Sequence, residues 1–175
     1  WNDTFTSGSA TGTINGLQVR ARVLPVLNFV VSGSGIIDLG NVSSATASTG
    51  SVNIEIGTNA VNGASITARS TNGGMANTST GAVILNNLTT DGFADSYKFL
   101  STANVTDSTY PGFSQSGAVN QEVNNTSNVT LYTSTRPQPL TAVDDLTFSV
   151  SAQTNAQTPA GDYRDVIVIT VTGNF

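Results

Sequence analysis

The 175-residue chain contains no cysteine and no histidine. Their absence excludes disulfides, thiolate nucleophiles, histidine acid–base catalysis and the common ligand sets of zinc and copper. Stability must therefore come from packing alone, and carboxylates are the only catalytic groups that remain. We expect no cofactor and no metal site.

Charged side chains are also scarce, at 10% of the chain, where ordinary globular proteins have about 25%. The net charge is −5 and the six basic residues are scattered, so there is no basic patch that could release counterions from a nucleic acid. Nucleic-acid binding is therefore not expected. The polar surface consists mainly of Ser, Thr, Asn and Gly, which suits a protein packed against copies of itself, because few charges are desolvated at each contact.

Long apolar runs are missing as well. No run approaches the ~20 residues that cross a bilayer, and the chain begins at Trp1 without an initiator methionine or a signal sequence. We interpret it as a mature chain from which a signal peptide has been removed. We expect it to be extracellular and to have no membrane span.

Paired carboxylates are the strongest argument for an enzyme. Asp144 with Asp145, and Asp162 with Asp165, could serve glycoside hydrolysis, which uses two acids across one bond. Neighbours in a strand or turn point in different directions, however, and solvated acids are common in turns. The chain is therefore predicted not to be an enzyme. Loop acids that could bind calcium, but lack EF-hand spacing, are Asp91, Asp95 and Asp107.

What the chain has in quantity is apolar–polar alternation with a period of two, the pattern of half-buried β-strands. The alternation is clearest in residues 51–57, 64–68 and 146–150. Residues 17–23 alternate in the same way and are predicted to form a half-buried strand. No segment reads as a helix, and short strands separated by turn signals predict an all-β, antiparallel β-sandwich.

The final run, residues 163–175, is the most β-branched segment of the chain. Its odd-numbered residues from Ile167 to Val171 form one apolar face, and Val166 and Val168 make the centre of the other face apolar as well. Strands that are apolar on both faces usually lie inside a sheet. This strand is therefore predicted to have a neighbour on each side.

Asn-x-Ser/Thr triplets are plentiful and cluster between Asn77 and Asn128. A chain this rich in Asn, Ser and Thr also produces such triplets by chance, and glycosylation requires an organism that performs it. The cluster marks this region as surface. The candidate glycosylation sites are Asn77, Asn87, Asn104, Asn125 and Asn128.

Both ends of the chain resemble one family. The ending Ala-Gly-Asp-Tyr-Arg-Asp at residues 160–165, with the β-branched run that follows it, resembles the terminal strand of spore coat U domains and archaic chaperone–usher major pilins. The beginning, Ala-Thr-Gly-Thr-Ile at residues 10–14 followed by residues 17–23, is similar to the start of those mature pilins. The middle of the chain matches only as a pattern of strands.

The resemblance implies an incomplete immunoglobulin-like β-sandwich (residues 16–175) that is completed by the N-terminal donor strand (residues 1–15) of the next subunit. The chain would then be a structural subunit of an extracellular filament or pilus, serving adhesion or biofilm cohesion. Its partners would be other copies in a head-to-tail homopolymer, together with an export chaperone or usher. The donor residues would be Phe5, Ala10, Gly12 and Ile14, and the acceptor groove would be lined by Leu146, Phe148, Val150, Ile167, Ile169 and Val171.

The alternative hypothesis is a secreted carbohydrate-binding β-sandwich module. Aromatic faces suit stacking against sugars, and Trp1, Tyr110, Phe113 and Tyr132 are the candidates for such a platform. Isolated aromatic residues are more often core or interface anchors. The sequence alone therefore leaves this hypothesis open as the second choice.

Overall fold

The computed structural model describes residues 18–88, 94–103, 115–116, 119–140 and 146–175. Over these residues the fold is all-β, as predicted, and every strand pair is antiparallel. The same residues contain no helix that is long and apolar enough to span a membrane. The strands are β1 (Leu27–Val31), β2 (Ser48–Thr58), β3 (Ala64–Ser70), β4 (Gly74–Ala76), β5 (Val83–Leu85), β6 (Ser96–Ala103), β7 (Gln115–Ser116), β8 (Val119–Glu122), β9 (Val129–Ser134), β10 (Leu146–Gln153) and β11 (Ile167–Gly173).

The strands form two main sheets with a sandwich-like arrangement. The five-stranded sheet has the order β1-β2-β10-β6-β8, and the four-stranded sheet has the order β11-β3-β9-β7. Strands β4 and β5 form a small separate pair. Consecutive strands often change sheets, so non-local pairs such as β2 with β10 and β3 with β11 hold the chain together.

The core lies between the two main sheets and follows the predicted alternation. Ile54 and Ile56 of β2 are fully buried, as are Ile66 of β3 and Leu131 of β9. Because successive side chains of a strand point to opposite faces, β2 and β3 deliver every second residue to the core. In β9 the register against β3 shifts, and the adjacent residues Leu131 and Tyr132 are both buried. Aromatic packing adds to the core where the ring of Phe148 contacts that of Phe99 edge-on, with centroids 5.5 Å apart.

The predicted turn at Asn62 and Gly63 carries the chain from one sheet to the other. Gly63 has φ +72°, and its amide donates to the carbonyl of Ala60 at 3.0 Å. A Cβ at this position would meet the backbone and side chain of Ser134. Glycine is therefore required both for the left-handed backbone and for the close approach of β9.

One strand prediction was wrong. Residues 18–26 form no strand, and Val19 and Val23 are more than 80% exposed, because alternation specifies which side chains share a face but does not supply a strand to pair with. Among the described residues β11 pairs only with β3 and forms the edge of its sheet. The second neighbour that the apolar faces of β11 predict is not found among these residues, so this part stays a prediction.

Candidate functional site

An open groove lies between the edge strands of the two main sheets. Strand β1 is the edge of one sheet and β11 the edge of the other, and the two strands are in contact. The groove has a volume of about 470 Å³. Its apolar lining includes Val31, Ile37, Phe148, Val150, Ile167 and Ile169.

The outer edge of β11 has no strand partner among the described residues. The amide of Thr71 donates to the carbonyl of Val166 at 2.9 Å, and the amide of Asn174 donates to the carbonyl of Gly63 at 2.8 Å. Residues facing a partner strand recur every second position in an antiparallel pair. The even-numbered residues of β11 therefore bond to β3, and the N–H and C=O groups of Ile167, Ile169 and Val171 point outward.

The side chains of β11 also alternate between two faces with a period of two. Ile167, Ile169 and Val171 are half-buried and pack against the core, whereas Val168 is exposed. The odd-numbered residues thus present an apolar side chain to the groove and an unpaired backbone to its rim. A strand placed beside β11 would find both hydrogen-bond partners and an apolar surface.

The opposite wall is formed by β1 and by the loop that follows it. Leu27 and Val31 pack against the core, and Phe29 has the same parity and hence the same face, yet it remains 52% exposed. Residues 36–39 continue this wall without forming a strand. A Cβ on Gly50 would meet Ile37 there, so this loop packs tightly on β2. The half-exposed Phe29 shows that the gap between the two edge strands is not filled by the described residues.

A buried phenol and a carboxylate form the polar end of the groove. Tyr97 is almost fully buried and its hydroxyl donates to Asp165 Oδ2 at 3.1 Å. The second oxygen of Asp165 accepts from the amide of Val166 at 2.8 Å and from Asn72 Nδ2 at 3.3 Å. Burial raises the pKa of Tyr97 far above its ordinary value, and the charge of Asp165 raises it further. The phenol therefore stays protonated at neutral pH, and its hydrogen bond to Asp165 holds the start of β11 in place.

The predicted site residues are distributed unevenly. Four of the six predicted acceptor residues, Phe148, Val150, Ile167 and Ile169, line the groove. Val171 lies on the same face of β11 but beyond the groove lining, and Leu146 is enclosed in the core. The predicted donor residues lie outside the described part of the chain: Phe5, Ala10, Gly12 and Ile14.

Three residues in or near the groove were not singled out from the sequence. Tyr97 lines the groove because the position of its strand in the sheet brings it there. Phe29 lies in residues 26–31, where Asn28 is the one polar residue and no alternation marks a face. Asn59, one residue after β2, bonds to the segment that leads into β1, and no signal in the sequence distinguished it.

The predicted glycosylation sites differ in accessibility. Asn77 is 3% exposed, and its Oδ1 accepts from the amides of Ser79 and Thr80. Because this amide is enclosed and shapes a turn, burial disfavours a glycan at Asn77. Asn87 is half-buried, Asn125 and Asn128 are exposed, and Asn104 lies outside the described residues.

The candidate acids that the structure describes do not gather into a cluster. Asp144 and Asp145 lie outside the described residues, and Asp165 is held by Tyr97. Asp95 accepts from the Thr158 hydroxyl at 2.6 Å, so it supports a turn. The described residues contain no group of three His, Cys, Asp or Glu side chains that could hold a metal ion.

Of the predicted sugar-stacking platform, only Tyr132 lies in the described part of the chain. It is fully buried, and its hydroxyl donates to Gln138 Oε1 at 3.0 Å. An enclosed ring cannot stack on a sugar. Tyr132 therefore belongs to the core, and the prediction that it contributes to a binding face was wrong.

Comparison with known proteins adds no family to this picture. No protein-family model matches the chain, and the curated proteins include no sequence with significant similarity to it. The geometry of the groove and its edge strands is therefore the observation that bears on function.

Proposed function

We propose that this protein is a structural subunit of an extracellular filament and polymerises by donor-strand exchange. A strand from one copy would pair with the outer edge of β11 in the next copy and fill the groove beside it. The observation that supports this proposal is the coincidence of an unpaired strand edge with an apolar groove of about 470 Å³. β-Strand addition uses these two features, backbone groups for affinity and side-chain pockets for specificity.

The sandwich would then be immunoglobulin-like and completed only in the polymer, as the resemblance to spore coat U domains and archaic chaperone–usher pilins implies. An exposed edge strand is a pairing hazard for a monomer. Donation of a strand converts the hazard into a head-to-tail contact that uses two different surfaces and can therefore repeat. Residues 1–15, with Phe5, Ala10, Gly12 and Ile14 facing the groove, stay the predicted donor.

The remaining parts of the proposal follow from this assembly. The filament would serve adhesion or biofilm cohesion at the cell surface, and a chaperone or usher would cover the groove before assembly. Neither catalysis nor a cofactor is part of the proposed role. The low charge suits this use, because only 10% of the residues are charged and few need desolvation at each contact.

The test is negative-stain microscopy and sedimentation of the purified chain over a series of concentrations. We expect filaments that grow with concentration. Ile169→Asp, which places a charge in the groove, should prevent them, whereas Thr170→Asp on the exposed face of the same strand should not. A wild-type chain that stays monomeric throughout the series would overturn the proposal.

A further inference from the structure

Resting on the proposed function, we propose that residues 18–23, here called the arm, are inserted beside β11 of a second copy. The arm directly precedes residues 24–26, which lead into β1. It thus lies C-terminal to the donor that the sequence predicts. Its exposure, its pattern, its anchoring and its charge each support this role.

The arm is unsatisfied in its own domain. Val19 is 84% exposed and Val23 is 82% exposed. Within the described chain its only hydrogen bond is internal, from Arg20 to Gln18 at 3.0 Å. Transfer of exposed apolar side chains from water to an apolar surface is favourable, so Val19 and Val23 favour contact with another surface.

The pattern of the arm matches the edge it would join. Val19, Ala21 and Val23 alternate with Gln18, Arg20 and Arg22, so an extended arm has one apolar and one polar face. At about 3.3 Å per residue the arm spans roughly 20 Å, close to the length of β11, which has seven residues. Three apolar side chains can then enter the groove while the arginines remain in solvent.

A hydrogen-bonded clamp fixes the direction in which the arm leaves the domain. Asn59 Nδ2 donates to the carbonyl of Leu24 at 2.7 Å, and the amide of Val26 donates to Asn59 Oδ1 at 2.7 Å. The Thr58 hydroxyl also donates to the carbonyl of Val26, at 3.0 Å. These bonds continue the line of β1 past the end of β2. Pro25 lies within the clamp and stiffens it further, so a return of the arm to its own groove is opposed.

The charge of the arm also favours insertion beside β11 of a second copy. The arm carries Arg20 and Arg22, two of the six basic residues, and no acid, in a chain whose net charge is −5. The groove lining carries two acids, Asp38 and Asp165, and one basic residue, Arg164, so acids are in excess there. A basic arm approaching an acidic rim is electrostatically complementary, and two arms would repel each other.

The first experiment compares two variants of the full chain by sedimentation and microscopy. Val19→Thr/Val23→Thr removes the apolar face of the arm, and Phe5→Thr/Ile14→Thr does the same to residues 1–15. The arm variant should raise the concentration needed for polymerisation by at least about tenfold, whether or not the second variant is also impaired. The thermal transition of the arm variant should match that of the wild type, because Val19 and Val23 are exposed in the monomer.

The outcomes separate this inference from the proposed function. If Phe5→Thr/Ile14→Thr blocks assembly and the arm variant assembles normally, residues 1–15 are the inserted strand and the inference is overturned. If both variants are impaired, the arm is part of a longer inserted strand, which supports it. If the wild type itself never polymerises, the proposed function fails first, whatever the variants do.

A cross-link gives an independent readout, because the chain has no cysteine of its own. Ala21→Cys chains are mixed with Ile167→Cys, Ile169→Cys or Val171→Cys chains under oxidising conditions. We expect a disulfide-linked pair with one of the three, since a disulfide requires Cα atoms about 4.4–6.8 Å apart. Mixing with Glu55→Cys is the control, because Glu55 lies on β2, opposite Val30 of β1, and not on β11. Equal yields with all four partners would contradict insertion beside β11.

Discussion

Two proline substitutions in β11 test the direction of its backbone groups. Val171→Pro removes an N–H that points away from β3, at the edge that we propose as the acceptor. Val168→Pro removes an N–H that points toward Arg69 of β3, its partner in the register. Both prolines impose the same restriction on φ, but Val171 also packs against the core whereas Val168 is exposed. The difference in stability between the two variants therefore gives a lower limit for the contribution of the hydrogen bond.

The expected magnitudes differ for the monomer and for the polymer. Val168→Pro loses a ladder bond and leaves the Arg69 carbonyl without its partner, which costs about 1–3 kcal/mol of unfolding free energy beyond the cost of φ. Val171→Pro loses no bond that the described residues make, so its monomer should be more stable than that of Val168→Pro, by less than this amount because Val171 also loses packing against the core. In the polymer, Val171→Pro denies the incoming strand one hydrogen bond and crowds its path. A loss of about 1.4 kcal/mol already weakens association tenfold.

The assay has two parts, urea unfolding of dilute monomer and the concentration dependence of sedimentation. Val171→Pro should unfold cooperatively at a higher urea concentration than Val168→Pro and should fail to form filaments. Equal destabilisation of the two monomers would show that the outward direction assigned to Val171 is wrong. A stable Val171→Pro monomer that polymerises like the wild type would remove β11 as the acceptor edge.

Three further predictions concern stability. Burial raises the pKa of Tyr97, so the stability that this group contributes is complete below its unfolded pKa of about 10 and is lost above it, at up to about 1.36 kcal/mol per pH unit. Urea unfolding at pH 9 and pH 11 should therefore show a smaller loss of unfolding free energy in Tyr97→Phe than in the wild type, and equal losses would contradict this. Gly63→Ala should cost at least about 2 kcal/mol more than Gly33→Ala in thermal unfolding, since both have positive φ but only Gly63 lies against Ser134; similar costs would exclude the steric reason. Phe148→Ala should cost about 3–5 kcal/mol in urea unfolding, and a loss below about 1 kcal/mol would show that this ring does not hold the core.

Period-two alternation predicted much of the fold because burial of one face is a local property. Residues 51–57, 64–68 and 146–150 alternate in sequence, and their apolar members are buried in β2, β3 and β10. The same pattern could not reveal partners, since pairing is set by the whole topology. The faces of β11 were therefore predicted correctly, whereas residues 18–23 alternate in sequence but form no strand.

The groove was accessible to prediction only in part, for the same reason. Ile167 and Ile169 were identified because they alternate on one strand, and Phe148 and Val150 because they do so on another. Tyr97 reaches the groove through the position of β6 in the sheet order, which no local pattern encodes. The groove is open because β11 has no second neighbour strand among the described residues, and no local sequence pattern indicates this.

The arm and the acceptor edge cannot satisfy each other within one copy. The clamp at Asn59 holds the start of the arm near the first residue of β1 and directs the arm away from the domain. The groove, in contrast, is lined by Val31 at the other end of β1. Burial of Val19 and Val23 is worth about 1.5–3 kcal/mol each, which the proposed insertion beside β11 of a second molecule would supply. Because the arm and the edge of β11 are separate surfaces, each added copy leaves one arm free at one end of the filament and one β11 edge free at the other. The same contact can therefore form again and the filament can grow, whereas a symmetric dimer that pairs two β11 edges would leave no free edge.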